Sequence, residues 1–498
     1  MKNKFMFAVF VFILFSFGSV VSAATTPHKK SALKENISDL RARTKSLEEQ
    51  VMLLQNQIDV AHPVLSENMM KMQKAASYDK DNKNRFDTLV EMYAHGPAVV
   101  TSPAFGVRRA AEDEFEDESP LMAQLSSINE DLVLLHLRKK MDTYAVKNGI
   151  EIPTRPIIAL SGALEGMANY KYDYNRTDKV DVDLSSAELD IIGETGPWVT
   201  SAIIATYDND RLTTTTGTRV SNSKLRIDRG FITIGQLNRC PLYFTIGQIF
   251  APFGRYSSHM VTTPSTQILG RLKDRMVVLG YSKGPFNVQV YGFPGETNGT
   301  NNGSVKGLLG HSGINVGTDY TIGKLEIDIE GSAMGNIAES DGMQKNVFTM
   351  GTNRESIRSR VWAFDGRVKF KYAPFTLVSE YVGAARRFDS RDLDFNSVGA
   401  RPQALNVEGT VDFKTMGKPS DITLGYGQTW QALALGLPKN NFFAAYDIAF
   451  FKSTLFTVEY RHDVNYGWND TSTQAASTVV PIVGRHKNTV TARMAVYF

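Results

Sequence analysis

The chain has 498 residues, with 55 Lys and Arg against 52 Asp and Glu; the net charge of +3 gives no basic excess that would recruit a nucleic acid. A single cysteine, Cys240, excludes an intrachain disulfide framework and a cysteine-based zinc site. Mean hydropathy is −0.22, and beyond the N-terminal segment no run approaches about eighteen consecutive apolar residues, which excludes helical membrane spans.

In chain order, Lys2 and Lys4 precede an apolar run from Phe5 to Phe15, and Val21-Ser22-Ala23 has the small residues of a cleavage site. Residues 1–23 therefore read as a secretory signal peptide. Over 33–58, Leu33, Leu40, Leu47 and Leu54 repeat at one heptad position and Ile37, Thr44, Val51 and Ile58 at another. That pattern predicts an α-helical coiled coil within 24–60, and with it self-association. A polar, acidic linker follows over 61–151. It contains "AEDEFEDES" (111–119), six acids in nine residues, which reads as a solvated run and not a metal site. Ser119-Pro120 resembles an N-cap and N1 pair, and Leu121, Leu125, Ile128, Leu132 and Leu135 predict a second, shorter helix with Arg138-Lys139-Lys140 in its last turns. Nothing in 24–150 has the glycine-rich β pattern of a globular plug.

From residue 152 to 498 the apolar period is two. In "VWAFDGRVKFKY", Trp362, Phe364, Val368, Phe370 and Tyr372 share one face, with Asp365, Arg367, Lys369 and Lys371 opposite. In "LEIDIEGSA", Leu325, Ile327 and Ile329 stand against Glu326, Asp328 and Glu330. Sixteen such segments start near 156, 183, 198, 224, 241, 274, 286, 311, 325, 360, 375, 404, 421, 442, 453 and 487. Connections after even-numbered segments are short ("ETGP", "SKGP", "TIGK"), and most after odd-numbered ones are long. A soluble sandwich has no reason to sort its loops by parity, whereas a membrane barrel does. Apolar outward faces opposite charged ones require an apolar solvent outside and water inside. The predicted fold is an all-β transmembrane barrel of 16 antiparallel strands, with Tyr170, Tyr172, Trp198, Phe375, Tyr497 and Phe498 in interfacial girdles. About 22 residues per strand and connection suit sixteen strands and not twenty-two. An exported chain of this kind belongs in a Gram-negative outer membrane, with its N-terminal region periplasmic.

"YFTIGQIFAPFGRYSS" (243–258), a strand leading to a Pro252-Phe253-Gly254 turn, resembles a segment of phosphate-selective porins. With "IDRGFITIGQLN" (227–238), the heptads and the strand count, the chain more nearly resembles the Legionella-type siderophore porins. These are receptors for ferric legiobactin that work without TonB. The resemblance implies uptake of a ferric siderophore, carries no residue map of a ligand site, and leaves a phosphate-type or general anion porin as the alternative. A third reading makes the barrel an anchor and the coiled coil a periplasmic tether.

The residues themselves nominate charged sites. Arg367, Lys369 and Lys371 form a basic ladder on the lumen face of segment 10, and Glu326, Asp328 and Glu330 an acidic ladder on segment 9. Mutual neutralisation across the strands and a transverse field across the pore are both open. Among loop cations, Arg255, Arg271, Lys273, Arg275, Arg386 and Arg387, with Arg391 nearby, suit a small anion, because an arginine fork matches carboxylate and phosphate. Attraction to lipopolysaccharide is the plainer reading of the same residues. No catalytic motif is present. His259, beside Ser257 and Ser258, would reach Asp463 across the mouth; His462 falls on the lipid-facing parity; His311 and His486 have no companion at metal-ligand spacing. No metal or cofactor is expected.

"NTVTARMAVYF" (488–498) alternates to Phe498, so Val490, Ala492, Met494, Val496 and Phe498 should face lipid and Arg493 the lumen. A terminal aromatic on such a strand resembles the signal read by the barrel-assembly machinery. By analogy with porins, a homotrimer is expected.

Overall fold

A computed structural model describes residues 90–101 (except 91 and 97), 121–173 (except 125 and 153), 178–209, 223–295, 298–299, 310–348, 356–451, 453–473 and 484–498. They belong to a unit spanning Tyr78–Phe498; the other unit is Met1–Ser77. The predicted signal peptide, the heptads and the acidic run lie outside the described residues.

Alternating faces drive the chain into strands, and pairing each with its sequence neighbour gives sixteen: β1 Ile157–Asp173, β2 Asp178–Glu194, β3 Val199–Asn209, β4 Ser223–Gly235, β5 Leu242–Phe250, β6 Lys273–Lys283, β7 Phe286–Phe293 and β8 His311–Ile322. They continue with β9 Leu325–Met334, β10 Ala363–Tyr372, β11 Phe375–Ala384, β12 Gln403–Thr415, β13 Lys418–Trp430, β14 Asn440–Ile448, β15 Thr454–Val464 and β16 His486–Tyr497. All pair antiparallel. β16 returns to β1, from Ala163 opposite Tyr497 to Asp173 opposite Lys487, and the barrel closes. Closure leaves no open edge, the only way a sheet this wide avoids one. Each strand expected from the sequence is present.

The two faces separate as the alternation requires. On β10, Trp362, Phe364, Phe370 and Tyr372 are exposed outward while Asp365, Arg367 and Lys369 are buried inward. On β16, Val490, Met494, Val496 and Phe498 point out and Arg493 points in. An apolar outer belt around a charged interior is what a membrane-spanning barrel needs. Tyr170, Tyr172, Trp198, Phe375 and Phe498 lie on that outer surface. Tyr497 does not: one residue out of phase with Phe498, it packs inward against Leu121, Ala163, Leu455 and Ala495.

Loop length sorts by rim. One rim carries the short turns, such as 195–198, 236–241, 284–285, 323–324, 373–374 and 416–417. The other carries the long connections, except the brief one at 174–177. At the short-turn rim β16 stops short of the first residues of β1. The strand Val99–Thr101 covers them, pairing parallel from Val99 opposite Ile158 to Thr101 opposite Leu160.

A single long helix, α1 Glu130–Lys147, is described. It starts ten residues after the predicted cap, and Arg138-Lys139-Lys140 fall mid-helix. The described residues of 121–129 are not helical because Gln124 is used in a β-bridge to Ser258, and Asn129 (φ 61, ψ 29) turns the backbone through the left-handed region before the helix begins. Glu130 and Asp131 in the first turn suit the positive end of the helix dipole. The helix is buried from Glu130 to Leu135 on every side, which an ordinary surface helix is not. It lies inside the barrel, and it is the counterpart of the second, shorter helix expected within 61–151, with its start displaced.

Candidate functional site

The long connection 251–272 does not stand clear of the barrel but crosses its interior. After β5 the Pro252-Phe253-Gly254 turn reverses the chain, with Gly254 at φ +69, where a Cβ would strike the Tyr256 ring at 2.4 Å. The crossing loop then meets three inward glutamates from three separate strands. The Arg255 and Tyr256 amides donate to Glu380 of β11 (2.7 and 3.0 Å). The Ser258 hydroxyl and the His259 amide donate to Glu408 of β12, the latter at 3.0 Å. The Thr262 amide and hydroxyl donate to Glu459 of β15 (3.1 and 2.6 Å). All three glutamates are buried. Each inward carboxylate is thus paired with otherwise orphaned loop amides, which is what allows an irregular backbone to exist at this depth. A short helix, α2 Ser265–Gly270, carries the loop back to β6.

His259 sits at the centre of this seat. Its Nδ1 lies 3.7 Å from Glu408 and its Nε2 3.6 Å from Asp421 of β13. Thr410 lies 3.4 Å from Nδ1. Asp447 of β14 stands opposite Asp421 in the ladder. Burial opposes a charge on the imidazole, but Glu408 beside it and the field of Asp421 and Asp447 outweigh it and push His259 up to about 9. Its acidic surroundings favour the imidazolium.

The two ladders meet in the register Glu326–Lys371, Asp328–Lys369 and Glu330–Arg367. Arg367 pairs diagonally with Asp328, and Lys371 with Glu326 at 3.1 Å. Mutual neutralisation accounts for these pairs. The loop cations divide. Arg271 pairs with Asp341 at 3.4 Å and lies over the Phe250 ring; Lys273 pairs with Asp228; Arg391 is held by Asp389 at 2.9 Å. Arg275 is exposed and its amide donates to Asp274. Arg255 is buried in the crossing loop, within the field of Asp328 and Glu330. Arg386 and Arg387 differ. Arg386 donates to the Arg360 carbonyl (2.8 Å), and Arg387 to the Gly399 carbonyl (2.8 Å) and the Gln431 amide oxygen (3.3 Å). Beside them, Arg360 donates to the Gly310 carbonyl (2.9 Å) and Arg401 to the Ala384 carbonyl (2.8 Å). Among the described residues these four guanidinium groups bond only to neutral oxygens. They form a net-positive patch on the long-loop rim.

The comparisons add kinship. No family model matches the chain. A UPF0422 protein of Coxiella burnetii is 35% identical over 435 residues, covering 86% of this chain and 88% of that protein. UPF0422 proteins of Legionella pneumophila, strains Lens and Philadelphia 1, are each 36% identical and span 83% of this chain and 79% of their own length. The chain belongs to the UPF0422 family. Solved structures similar to it include the outer membrane channel DcaP of Acinetobacter baumannii, with a TM-score of 0.46 at 16% identity, covering 69% of this chain and 98% of that one. Another is an anion-selective porin from Comamonas acidovorans, with a TM-score of 0.44 at 10% identity, covering 69% and 100%.

For this UPF0422 chain the histidine expectations change. His259 does not approach Asp463, which holds Arg461 instead at 2.7 Å. Ser258 bonds Glu408 and Ser257 lies 3.4 Å from Arg367, so neither serine is presented to the imidazole as a nucleophile would be. His311 stacks on Phe293 and faces Glu339 at 3.3 Å, and His462 stacks on His486. Among the described residues no group of three or more His, Cys, Asp or Glu could hold a metal ion.

The basic ladder carries one sharp expectation. Arg367 is 1% exposed at its side chain, so Arg367→Met strands Asp328 in the interior. The variant should lose about 3–5 kcal/mol of stability, and adding Asp328→Asn should restore most of it. Semi-native gel melting of the folded barrel measures both; equal melting of the single variant and the parent would refute the pairing.

Proposed function

We propose that this chain is a porin-type channel of the Gram-negative outer membrane for small anions, with a ferric siderophore as the leading ligand class. The observation that carries this reading is the patch of Arg360, Arg386, Arg387 and Arg401 on the long-loop rim, whose guanidinium partners are neutral carbonyl and amide oxygens. Such forks remain available to a carboxylate or phosphate, whereas Arg271, Lys273, Arg367 and Lys371 are spent on acids of the protein. The apolar belt supports a lipid surrounding, and the short-turn rim is assigned to the periplasm by analogy with barrels of this kind. In this orientation the arginine mouth faces outward, where it also meets lipopolysaccharide phosphates. The N-terminal region, with its heptads, is assigned to the periplasm and to self-association, and a homotrimer is taken by analogy with porins. Phosphate or another small anion in place of the siderophore leaves the mechanism unchanged.

Reversal potentials of open channels under a salt gradient test this reading. Anion preference is expected, and Arg386→Gln/Arg387→Gln should reduce it. Each charge contributes about 1 kcal/mol to an anion about 4 Å away in water, so the double variant should weaken anion partitioning by about thirtyfold. Block by a ferric siderophore, by phosphate or by neither separates the ligand classes. A cation preference, or selectivity unchanged in the double variant, would sink the proposal.

A further inference from the structure

Residues 121–147 enter and leave the barrel by the same rim. Leu121 packs against Leu455, Ala495 and Tyr497, beside the short-turn ends of β15 and β16. The chain then climbs to the crossing loop. There Gln124 exchanges both backbone hydrogen bonds with Ser258 (2.8 and 2.9 Å), and its amide donates to the Val261 carbonyl (2.8 Å). Ser126 donates to the Arg255 carbonyl (2.7 Å). After the left-handed turn at Asn129, α1 descends. Glu130 pairs with Arg229 (3.0 Å), Asp131 accepts from Thr245 (2.6 Å), and His136 meets Ser282 (3.0 Å). Arg138 bonds Thr200 (3.2 Å) and the carbonyl of Gly196, which lies in a short turn. Thr143 lies 3.5 Å from Asn238, in the next short turn.

This is an out-and-back hairpin whose apex seals against the crossing loop. Among the described residues no strand pairing passes through it, so its withdrawal needs no unthreading of the barrel. Its wall partners also keep other partners if it leaves. Arg229 retains Glu188 and Asp228 (both 3.1 Å), Thr245 retains Thr233 (3.0 Å), and Glu194, which lies 3.7 Å from Arg138 of the seated helix, retains Tyr93. These three charged or polar wall groups keep a partner in both conditions, which lowers the cost of withdrawal, since a buried group left unpaired is costly.

We propose that residues 121–147 are a removable gate. Seated, they close the lumen together with the crossing loop; withdrawn through the short-turn rim, they open a path from the arginine mouth. The inference rests on the channel reading above. Two experiments on the full chain test it. In a Cys240→Ser background, Gln124→Cys/Ser258→Cys joins a hydrogen-bonded antiparallel pair, whose Cα atoms stand about 5.5 Å apart, within disulfide reach. Oxidised, this channel should open about tenfold less often in lipid bilayers than after dithiothreitol, the factor expected of a modest shift between two states. Arg138→Gln, with the cysteines absent, should open about tenfold more often than the parent for the same reason. Equal conductance of the locked and reduced forms, or Arg138→Gln behaving as the parent, overturns the gate and leaves the channel standing. Silence of every form, Arg138→Gln included, removes the channel reading and the gate with it.

Discussion

Glu408→Ala should detach the crossing loop and lower the stability of the folded barrel by about 3–5 kcal/mol, the cost of stranding a buried charge. Glu408 accepts from the Ser258 hydroxyl and the His259 amide and faces the His259 ring. Without it, His259 retains only Asp421 within ion-pair distance. The same seat responds to pH with a definite sign. His259 is held up to about 9 in the folded state by Glu408, Asp421 and Asp447 against the opposing effect of burial. Unfolded, an imidazole titrates near about 6.5. Below about 6.5 it is charged in both states and its stabilisation is complete; the stabilisation falls as pH rises and is gone above about 9. Thermal melts from pH 6 to 10, a range of about four units chosen to bracket both values, should therefore show a decline that His259→Gln flattens. A parent profile as flat as that of the variant would refute the charged seat. Thr410 and Glu408 from β12, Asp421 from β13 and Asp447 from β14 face the ring, and Asp412 of β12 adds a further acid to its field.

Removing Phe498 should cut the yield of inserted barrel more than it alters the barrels that do insert. Phe498 makes the last rung of the β1–β16 seam: its amide donates to Gly162 (3.0 Å) and its carbonyl accepts from Gly162 (2.7 Å). Two backbone hydrogen bonds contribute about 2 kcal/mol together. The ring lies so close over Gly162 that a Cβ there would meet it at 2.6 Å. Its outer face is 52% exposed on the apolar belt. The seam joins the first and last strands, so it depends on contacts across the whole barrel sequence, and such closures form late. Surface yield of the Phe498-deleted chain, compared with the conductance of its inserted fraction, checks this. Normal yield would refute it. Gly162→Ala should reproduce part of the defect by displacing the ring.

The inward glutamates show how far the sequence could be read. Glu380 in "VSEYV", Glu408 in "NVEGTV" and Glu459 in "FTVEYRH" all fall on the lumen parity, because a period of two assigns a face to every residue of a strand. The alternation could not show that their partners are backbone amides of a loop more than a hundred residues earlier in the chain. His259 was visible as a loop histidine, but its ring of acids comes from β12, β13 and β14, which only closure brings around it. The long connection left the register of the ladders unset, and only the adjacency of segments 9 and 10 followed from the sequence. The choice between paired and free cations did not, since it depends on which acid each side chain reaches. Arg386 and Arg391 look alike in the sequence, yet Arg391 is bonded to Asp389 two residues earlier and Arg386 to a carbonyl on another loop.

The helix is the instructive failure. Leu121, Ile128, Leu132 and Leu135 have helical spacing, and residues 130–147 are indeed helical. The stretch before it spends its backbone on the crossing loop, a tertiary contact that overrides local preference. The sequence by itself determined the sixteen strands, their inward and outward faces and the sorting of loops by rim. Those follow from local periodicity and from the need to satisfy every backbone group in lipid. Only the tertiary structure decided what fills the lumen and which cations remain unspent. Those depend on contacts between segments far apart in the chain, for which a period of two carries no information.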